Sequence, residues 1–482
     1  MKTYLQVILV FIISTQWAVT TNEFDGILTS TALYEFGYES NDSKYLYLNF
    51  KKIKVIQNQT FNEFENVELL DLSNNEIEAL NTATLKGLIR MKTLNLASNR
   101  LFCTDENLFQ TNVNLEYLNL SNNYIRQIGG LLGLEKLAFL DLSQNLMQSI
   151  NDNMFSELKN LKNLELSSNL IDSIGFNGLT GLDSLVLLNL QNNNLSIIED
   201  GIFRNLQNLQ NLNLDNNSLK QLKFHSFNGL KKLKSLTLKS NFIDSIENDV
   251  FQGLDELNYL DLRYNFLKSI QTKTFDGLVE LFTLNLLGNE INLIQSNSFC
   301  VTQKLDALIL SFNELKEINF GSFQCLNRLI QLDLVYNFIS SIDDNSFNDL
   351  KSLKTLNLND NYLKSIEPNI FINLIKLTEL FVARNSIENI HSEVFKSLIN
   401  LKRIDASYNQ ISFISKNELN GMKSLIQIDL KGNKLQFLKF NMIQGSINLN
   451  HFCLNGNLFS QDFKLNLDGF VYLNKENQLF NC

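Results

Sequence analysis

Histidine is the side chain best suited to acid–base chemistry or metal binding, and this sequence contains only His225, His391 and His451. None of them has a cysteine or carboxylate at the spacing of a metal site. The HExxH, GxSxG and P-loop motifs of metalloproteases, serine hydrolases and nucleotide-binding enzymes do not occur. The sequence therefore predicts a protein that is not an enzyme and that uses no metal or other cofactor.

The other reactive side chains are five cysteines: Cys103, Cys300, Cys325, Cys453 and Cys482. In an oxidising compartment an even number of them would pair and one would be left over. The N-terminus favours such a compartment, because residues 1–20 resemble a secretory signal peptide in having Lys2, an apolar core over 5–13 and small residues after it. That core is much shorter than the roughly 20 residues that span a bilayer. We therefore expect a secreted, extracellular protein without membrane insertion.

The charge balance limits the class of partner. The formal net charge is −10, and acidic and basic residues are interleaved along the chain. Nucleic acids and anionic membranes attract proteins with basic patches. A nucleic-acid partner is therefore not expected.

One phrase, LxLxxNx(I/L), recurs along most of the chain. Its asparagines are 24 residues apart, except for the 22 residues between Asn123 and Asn145. A degenerate copy begins at Leu46, with Lys51 in place of the asparagine. The repeated asparagines are Asn75, Asn99, Asn123, Asn145, Asn169, Asn193, Asn217, Asn241, Asn265, Asn289, Asn313, Asn337, Asn361, Asn385, Asn409, Asn433 and Asn457. Such strict spacing predicts a solenoid of stacked repeats with one continuous core.

The residue types in the repeat indicate how each turn is built. The two leucines alternate with outward residues, which predicts a short strand in a parallel sheet. The asparagine amide can satisfy backbone groups where the chain leaves the strand. A phenylalanine ten residues later should form a buried column: Phe155, Phe203, Phe227, Phe251, Phe275, Phe299, Phe323, Phe347, Phe371 and Phe395, with Leu85, Leu179 and Leu419 as substitutes. The short repeat lacks it, which predicts a pinch or a change of curvature near Gly129, Gly130 and Gly133.

The phrase LxxLxLxxNxIxxIxxxxFxxLxx, over residues 46–459, resembles the typical class of extracellular leucine-rich-repeat proteins. This class includes Toll-like receptor ectodomains, the acid-labile subunit and insect secreted leucine-rich immune proteins. The resemblance implies an α/β solenoid, a curved horseshoe with a parallel concave sheet and an irregular convex side, and recognition of a protein or glycan-bearing ligand. We expect an N-terminal cap at 21–45, about 18 repeats at 46–459 and a C-terminal cap at 460–482. The cysteine clusters usual in both caps are absent or reduced here.

Cysteine spacing predicts two disulfides. Cys300 and Cys325 follow consecutive column residues, so neighbouring turns should bring them within bonding range. Cys453 lies in the last repeat, and a bond to Cys482 would hold the cap. Cys103 is left over, either as a buried thiol or as an intermolecular bridge. Candidate glycosylation sites are Asn41, Asn58, Asn119, Asn194 and Asn216.

The residues between and just after the paired leucines should face outward on the concave sheet. In the N-terminal half they are small or polar: Asp71, Asn95, Asn119, Asp141, Glu165, Asn189 and Asn213. Farther along, aromatic, aliphatic and basic residues replace them, and these form the predicted partner site: Lys239, Arg263, Tyr264, Leu287, Ile309, Phe312, Val335, Tyr336, Phe381, Arg384, Arg403 and Tyr408. Aromatic residues beside arginine are typical of interface hot spots. The alternative is that some pack under loops and the rest are incidental.

Two functions remain open. The protein could bind a protein or glycoconjugate ligand, in innate immunity or as the carrier of a secreted factor. It could instead be a structural or adhesive matrix component that assembles with itself. A homodimer or heterodimer is compatible with either function.

Overall fold

A computed structural model describes residues 24–40, 42–391, 393–414, 419, 422–438 and 446–459. The predicted signal peptide at 1–20 and C-terminal cap at 460–482 lie outside these residues. Among the helices of the described part, none has the length and apolar character needed to cross a membrane.

The main sheet consists of three-residue parallel strands, one for each turn. The central residue of nearly every strand is a buried leucine or isoleucine, which packs inward while its two neighbours face outward. The strands are β2 (Tyr45–Tyr47), β4 (Leu69–Asp71), β5 (Thr93–Asn95), β6 (Tyr117–Asn119), β7 (Phe139–Asp141), β9 (Asn163–Glu165), β11 (Leu187–Asn189), β12 (Asn211–Asn213), β14 (Ser235–Thr237), β16 (Tyr259–Asp261), β18 (Thr283–Asn285), β20 (Ala307–Ile309), β22 (Gln331–Asp333), β24 (Thr355–Asn357), β26 (Glu379–Phe381), β28 (Arg403–Asp405), β29 (Gln427–Asp429) and β30 (His451–Cys453).

These strands pair in chain order, in the register set by the repeat. Leu70 lies opposite Leu94, and Leu212 lies opposite Leu236. Within the described residues the end strands β2 and β30 each pair on one side only, with β4 and β29. The sheet is therefore open at both ends, as a solenoid requires.

Short secondary-structure elements occur in the rest of many turns. Two-residue strands pair locally: β1 (Ile27–Leu28), β3 (Val55–Ile56), β8 (Ser149–Ile150), β10 (Ser173–Ile174), β13 (Gln221–Leu222), β15 (Ser245–Ile246), β17 (Ser269–Ile270), β19 (Leu293–Ile294), β21 (Glu317–Ile318), β23 (Ser341–Ile342), β25 (Ser365–Ile366) and β27 (Asn389–Ile390). The described helices are α1 (Ser30–Glu35), α2 (Thr82–Leu85) and a 3-10 turn at Pro368–Phe371. Helix α1 buries Ala32 and Leu33 against the first turn of the solenoid.

The phenylalanine column is buried as predicted. Seven rings from Phe227 to Phe371 stack in an unbroken series, with centroids 5.8–6.5 Å apart. Phe61 and Phe109 are also fully buried, ten residues after Lys51 and Asn99. The phenylalanine column therefore begins earlier in the chain than we predicted from the sequence. This aromatic series fills the side of the core away from the main sheet.

The repeated asparagines form a continuous ladder. Asn265 Oδ1 accepts a hydrogen bond from the backbone N–H of Ile243, at 3.0 Å. Its Nδ2 donates to the carbonyls of Leu238 and Leu262, both at 3.0 Å. The same arrangement recurs from Asn75 to Asn457. Each amide thus hydrogen-bonds the turn of its own repeat to the corresponding turn of the preceding repeat. Its role is structural.

The short repeat interrupts neither the sheet nor the ladder. Leu118 pairs with Leu140, and Asn145 Oδ1 accepts from the N–H of Ile125 at 2.9 Å. The chain accommodates the loss of two residues on the outer side of the solenoid. There a Cβ atom at Gly130 would lie 2.6 Å from the carbonyl oxygen of Asp105, so only glycine allows so close an approach.

Candidate partner-binding surface

The twelve residues predicted to bind a partner occupy three kinds of position. Ile309, Phe381 and Arg403 lie in strands of the main sheet. Lys239, Arg263, Leu287 and Val335 follow the second inward leucine of their repeats. The other five stand one residue later, immediately before the ladder asparagine: Tyr264, Phe312, Tyr336, Arg384 and Tyr408.

The prediction that those last five residues face outward from strands is wrong. The strands are three residues long, and the chain has already turned when it reaches them. Their φ angles are +52° to +56°, in the left-handed region. The hydrophobic period locates the strand but does not encode this turn. The five side chains therefore lie along the edge of the sheet where each strand ends.

The sequence analysis did not identify a second row of aromatic residues on this edge. Phe242, Phe266, Phe338 and Tyr362 each directly follow a ladder asparagine, as the exposed Tyr124 does in an earlier repeat. With Tyr264, Phe312, Tyr336 and Tyr408 they form what we call the aromatic edge. All eight side chains are between 42% and 54% exposed. Phe242, Phe266, Phe338 and Tyr362 are 24 or 72 residues apart along the chain, and each stands one position after the asparagine. This spacing was the sequence signal that could have predicted the row.

Rings on the aromatic edge contact one another across repeats. Phe312 stacks on Tyr336 with centroids 4.5 Å apart, and Phe338 stacks on Tyr362 at 5.9 Å. A shallow groove of about 600 Å³ runs between these two pairs and also contacts Arg384. Phe242 and Phe266 form a third stacked pair at 5.9 Å. The four rings around this groove thus form an exposed aromatic cluster, and the Phe242–Phe266 pair is separated from it by the repeat that contains Gly288 and Glu290.

Cations stand over the rings at both ends of the aromatic edge. Lys239 Nζ lies 5.7 Å from the centre of the Tyr264 ring. At the other end Arg384 and Lys431 lie 4.9 Å and 5.4 Å from the centre of the Tyr408 ring. Exposed cation–π contacts of this kind contribute about 0.5–1 kcal/mol each. They place a cation at each end of the edge, and Arg384 Nε also lies 3.9 Å from Asp360 Oδ1.

Arg263 is engaged within its own repeat. Its guanidinium contacts the buried carboxylate of Asp261 at 2.6–2.9 Å through Nε and Nη2. Hydrogen bonding to Asp261 raises the pKa of Arg263 above its usual value. Arg263 therefore has the shortest ion pair among the predicted site residues, while Arg384 and Arg403 lie 3.9 Å and 3.4 Å from the carboxylates of Asp360 and Glu379.

The three predicted residues in strands lie apart from the aromatic edge, on the face of the sheet. Ile309 and Phe381 are half-buried there. Arg403 contacts Glu379 at 3.4 Å and borders a cleft of about 520 Å³ that Lys354, Lys402 and His451 also line. This cleft gives the C-terminal end of the sheet face a basic character.

From β4 to β12 the residue after each central leucine is polar, but the residue before it is apolar or aromatic at Leu69, Tyr117, Phe139 and Leu187. Glu165 accepts a hydrogen bond from Asn189 at 2.8 Å, and burial raises the pKa of the Glu165 carboxyl. Tyr117 and Phe139, however, stack face to face on β6 and β7 with centroids 4.5 Å apart. The expectation of a uniformly small and polar surface is therefore wrong here, because it considered the residue after each central leucine and not the residue before it.

Of the two predicted disulfides, one lies wholly within the described residues. Cys300 and Cys325 form a disulfide with Cα atoms 4.9 Å apart. Cys453 is disulfide-bonded, while its predicted partner Cys482 lies outside the described residues. Cys103 is free and exposed, so the prediction of a buried thiol is wrong. The inward position of that repeat is the next one, where Thr104 is buried.

Four of the five candidate glycosylation sites lie in the described part of the chain. Asn58, Asn194 and Asn216 are exposed. Asn119 is half-buried in β6, where its Oδ1 accepts hydrogen bonds from the backbone N–H and the hydroxyl of Ser121. Asn41 lies outside the described residues. Asn194 and Asn216 stand on the two rows that carry the aromatic edge, in the repeats before it begins.

The histidines are not grouped with other potential metal ligands. His225 is exposed and packs its ring against Phe224, with centroids 3.6 Å apart. Across the described ranges, no three His, Cys, Asp or Glu side chains are placed to hold a metal ion.

Comparisons with known proteins agree with this architecture. A leucine rich repeat model matches residues 44–101, 89–147, 231–291, 327–387 and 375–435. A model of the BspA type leucine rich repeat region matches residues 133–257. Among curated protein sequences none matches this chain.

Several solved structures share the fold. A leucine-rich-repeat protein of Leptospira interrogans is 25% identical, with a TM-score of 0.58 over 90% of this chain and 94% of that one. Toll in its complex with Spatzle, from Drosophila, is 20% identical, with a TM-score of 0.68 over 90% of this chain and 60% of that one. The plant peptide hormone receptor RGFR1 in complex with RGF2 is 20% identical, with a TM-score of 0.54 over 86% and 78% of the two chains. On the repeat models and the architecture together, the chain belongs to the leucine-rich repeat family.

Proposed function

We propose that this chain is a secreted binding protein that holds a protein or glycoconjugate partner against the aromatic edge and the adjoining sheet face. The observation that carries the proposal is the run of half-exposed rings from Phe242 to Tyr408 on one side of the solenoid. Aromatic and arginine side chains dominate the binding energy of protein interfaces. Nothing in the architecture of a repeat requires aromatic residues at these positions, since the other repeats fold without them.

The fold relatives support a binding role. Leucine-rich-repeat proteins are in general non-enzymatic scaffolds, and two of the matched structures are complexes, of Toll with Spatzle and of a plant receptor with RGF2. The groove here is open and shallow, and it is lined by four rings together with the charged side chains of Glu314, Asp360 and Arg384. An extracellular recognition protein in immunity, or the carrier of a secreted factor, would need such a surface.

A capture experiment tests the proposal. The chain would be expressed in eukaryotic secretory cells, and the medium and the carbonate-washed membranes analysed for the product. We expect soluble protein in the medium that begins near residue 20. Immobilised, it should retain a defined partner from extracellular fluid of the source organism, and a Phe312→Ala, Tyr336→Ala variant should retain much less. Product that stays in washed membranes, or equal retention by the variant, would contradict the proposal.

The second candidate function is self-assembly into a matrix, and one observation favours it. Cys103 is exposed and free, beside Phe102 and Tyr124, whose exposed rings stack at 5.7 Å. An exposed thiol in an oxidising compartment can form an intermolecular disulfide. Sedimentation of the purified protein with and without reductant separates the two functions. A reductant-sensitive dimer that is lost in Cys103→Ser would favour assembly, and a monomer would favour ligand binding.

A further inference from the structure

The residue before each ladder asparagine has the same backbone conformation throughout the solenoid but not the same chemistry. Its φ lies between +52° and +57° in every non-glycine case from Asn74 to Tyr408. In the earlier repeats it is small or polar: Asn74, Ser98, Asn122, Gln144, Ser168, Asn192, Asn216 and Ser240. In the later repeats it is Tyr264, Gly288, Phe312, Tyr336, Asp360, Arg384, Tyr408, Gly432 and Gly456.

The bulky residues in this row run against the preference of the backbone. The left-handed region is open to glycine and tolerable for asparagine and aspartate, but a bulky side chain there is an outlier. Glycine at Gly288 and Gly432 occupies the same turn, so the fold itself does not need a ring. Conformations of this kind cluster at functional sites, where they persist because another role requires the side chain.

Glycines in the next repeat give two of these rings room to lie along the edge. A Cβ atom at Gly288 would come within 2.6 Å of the Tyr264 ring, and one at Gly432 within 2.7 Å of the Tyr408 ring. Phe312 lies instead against the next aromatic ring, that of Tyr336, at 4.5 Å. Tyr264, Phe312 and Tyr408 are thus supported by the following repeat while staying half-exposed. Aromatic anchors fixed in this way lose little conformational entropy on binding.

The extent of the row indicates the kind of partner. Tyr264 and Tyr408 are six repeats apart, which at roughly 4.8 Å per parallel strand gives a surface about 29 Å long. That is the dimension of a standard interface of about 800 Å² per partner, and it is too extended for a small ligand. Lys239 stands at one end, and Arg384 and Lys431 at the other.

We propose that Tyr264, Phe312, Tyr336, Arg384 and Tyr408 are the specificity-determining anchors for a folded protein partner. That partner would present an apolar strip bounded by carboxylates at both ends. The inference rests on the proposed binding function and adds to it the anchor residues and the class of partner. The strained turn positions the anchor side chains in one row. The cations at the two ends of that row select a partner with carboxylates at both ends of its apolar strip.

The first test needs no partner and concerns the backbone alone. Phe312 and Phe338 are matched, because each is about half exposed and stacked on one neighbouring ring. Only Phe312 has a positive φ. Glycine should therefore be more stable than alanine at 312, while alanine should be more stable than glycine at 338. Urea unfolding midpoints of the four variants measure this. The same order at both positions would overturn the claim that the row is strained.

The second test identifies the partner by contact. A p-benzoylphenylalanine residue at position 312, and in a control chain at position 189, is irradiated in extracellular fluid, and the adducts are analysed by mass spectrometry. We expect one protein adduct from position 312 and none from 189. Purified, that protein should bind Phe312→Gly and Phe312→Ala roughly 30-fold more weakly than wild type. Its binding should also weaken in Arg384→Gln.

The remaining outcomes separate the two levels of the proposal. A protein retained by the wild-type chain but crosslinked only from position 189 would overturn the anchor assignment and leave the binding function standing. An adduct only with a second copy, a glycan or a nucleic acid would overturn the class of partner. No retained partner at all would contradict the binding function itself.

Discussion

A single amide accounts for much of the order in each turn. The ladder asparagine accepts one backbone N–H and donates to two carbonyls, and its neighbour is forced into the left-handed region. A non-glycine residue there costs about 1–2 kcal/mol, less for asparagine. The sequence predicts the ladder, because only an amide supplies both donors and an acceptor at a fixed repeat position. It does not predict the neighbouring φ angle, and so Tyr264, Phe312 and Tyr336 were expected on strands.

Asp215 tests the electrostatics of this turn. Burial raises the pKa of its carboxyl above the usual value, although the Lys239 N–H donates to it at 2.8 Å. Between the ordinary and the raised pKa the folded chain binds more protons than the unfolded chain, so stability falls as pH rises through that window. Asp215→Asn keeps the acceptor oxygen and removes the titration. Urea midpoints measured across the acid range should decline less steeply with pH in this variant.

Asp244→Asn provides the control, since its exposed carboxylate hydrogen-bonds only with neighbouring Ser245 among the contacts described. An unaltered slope in Asp215→Asn would show that burial does not govern this carboxyl.

At the scale of the secondary-structure element, the period of the sequence determines most of the strands and their pairing. The alternation of leucines predicts each strand, and the 24-residue spacing predicts its register with the next. The outer segments are less predictable, because their turns follow local backbone contacts and not a hydrophobic pattern. Cys103 shows the difference, since a shift of one residue separates the exposed thiol from buried Thr104. Phe242 and its row were missed because they lie outside the strand.

The phenylalanine column should carry a large part of the stability of the turns it connects. Phe275 is 1% exposed and stacks between Phe251 and Phe299. Phe275→Ala should lower the free energy of unfolding by about 3–5 kcal/mol through the cavity it leaves. Phe266→Ala, on the exposed edge nearby, should cost far less. Equal urea midpoints for the two variants would show that the column is not the core.

The Cys300–Cys325 disulfide should add only modestly to stability. It closes a loop of 25 residues between neighbouring turns that the sheet already holds in place. The Cys300→Ser, Cys325→Ser variant should therefore fold with the same circular dichroism spectrum and a slightly lower melting temperature. Peptide mapping without reduction should recover the linked pair from the wild-type chain. Two free thiols at these positions would contradict the assignment.

At the scale of the whole molecule, each repeat contacts mainly its neighbours, so a surface can change along the solenoid without disturbing the fold. The candidate glycosylation sites all lie at or before Asn216, and the aromatic edge begins at Phe242. The two halves therefore share one core and differ in the residues before the ladder asparagine and in their candidate glycosylation sites. The sequence predicts that contrast, although it places the aromatic residues on the sheet face and not along its edge.

The affinity of the captured partner for single-site variants is the most direct test of the aromatic edge as the partner site. Isothermal titration would compare the wild-type chain with Phe312→Ala and, as controls in the polar half, with Asn189→Ala and Asn213→Ala. We predict a loss of about 2 kcal/mol or more for Phe312→Ala, with almost none for the two controls and little change in melting temperature for any of them. Equal losses from both halves, or no loss from Phe312→Ala, would contradict the assignment of the aromatic edge as the partner site.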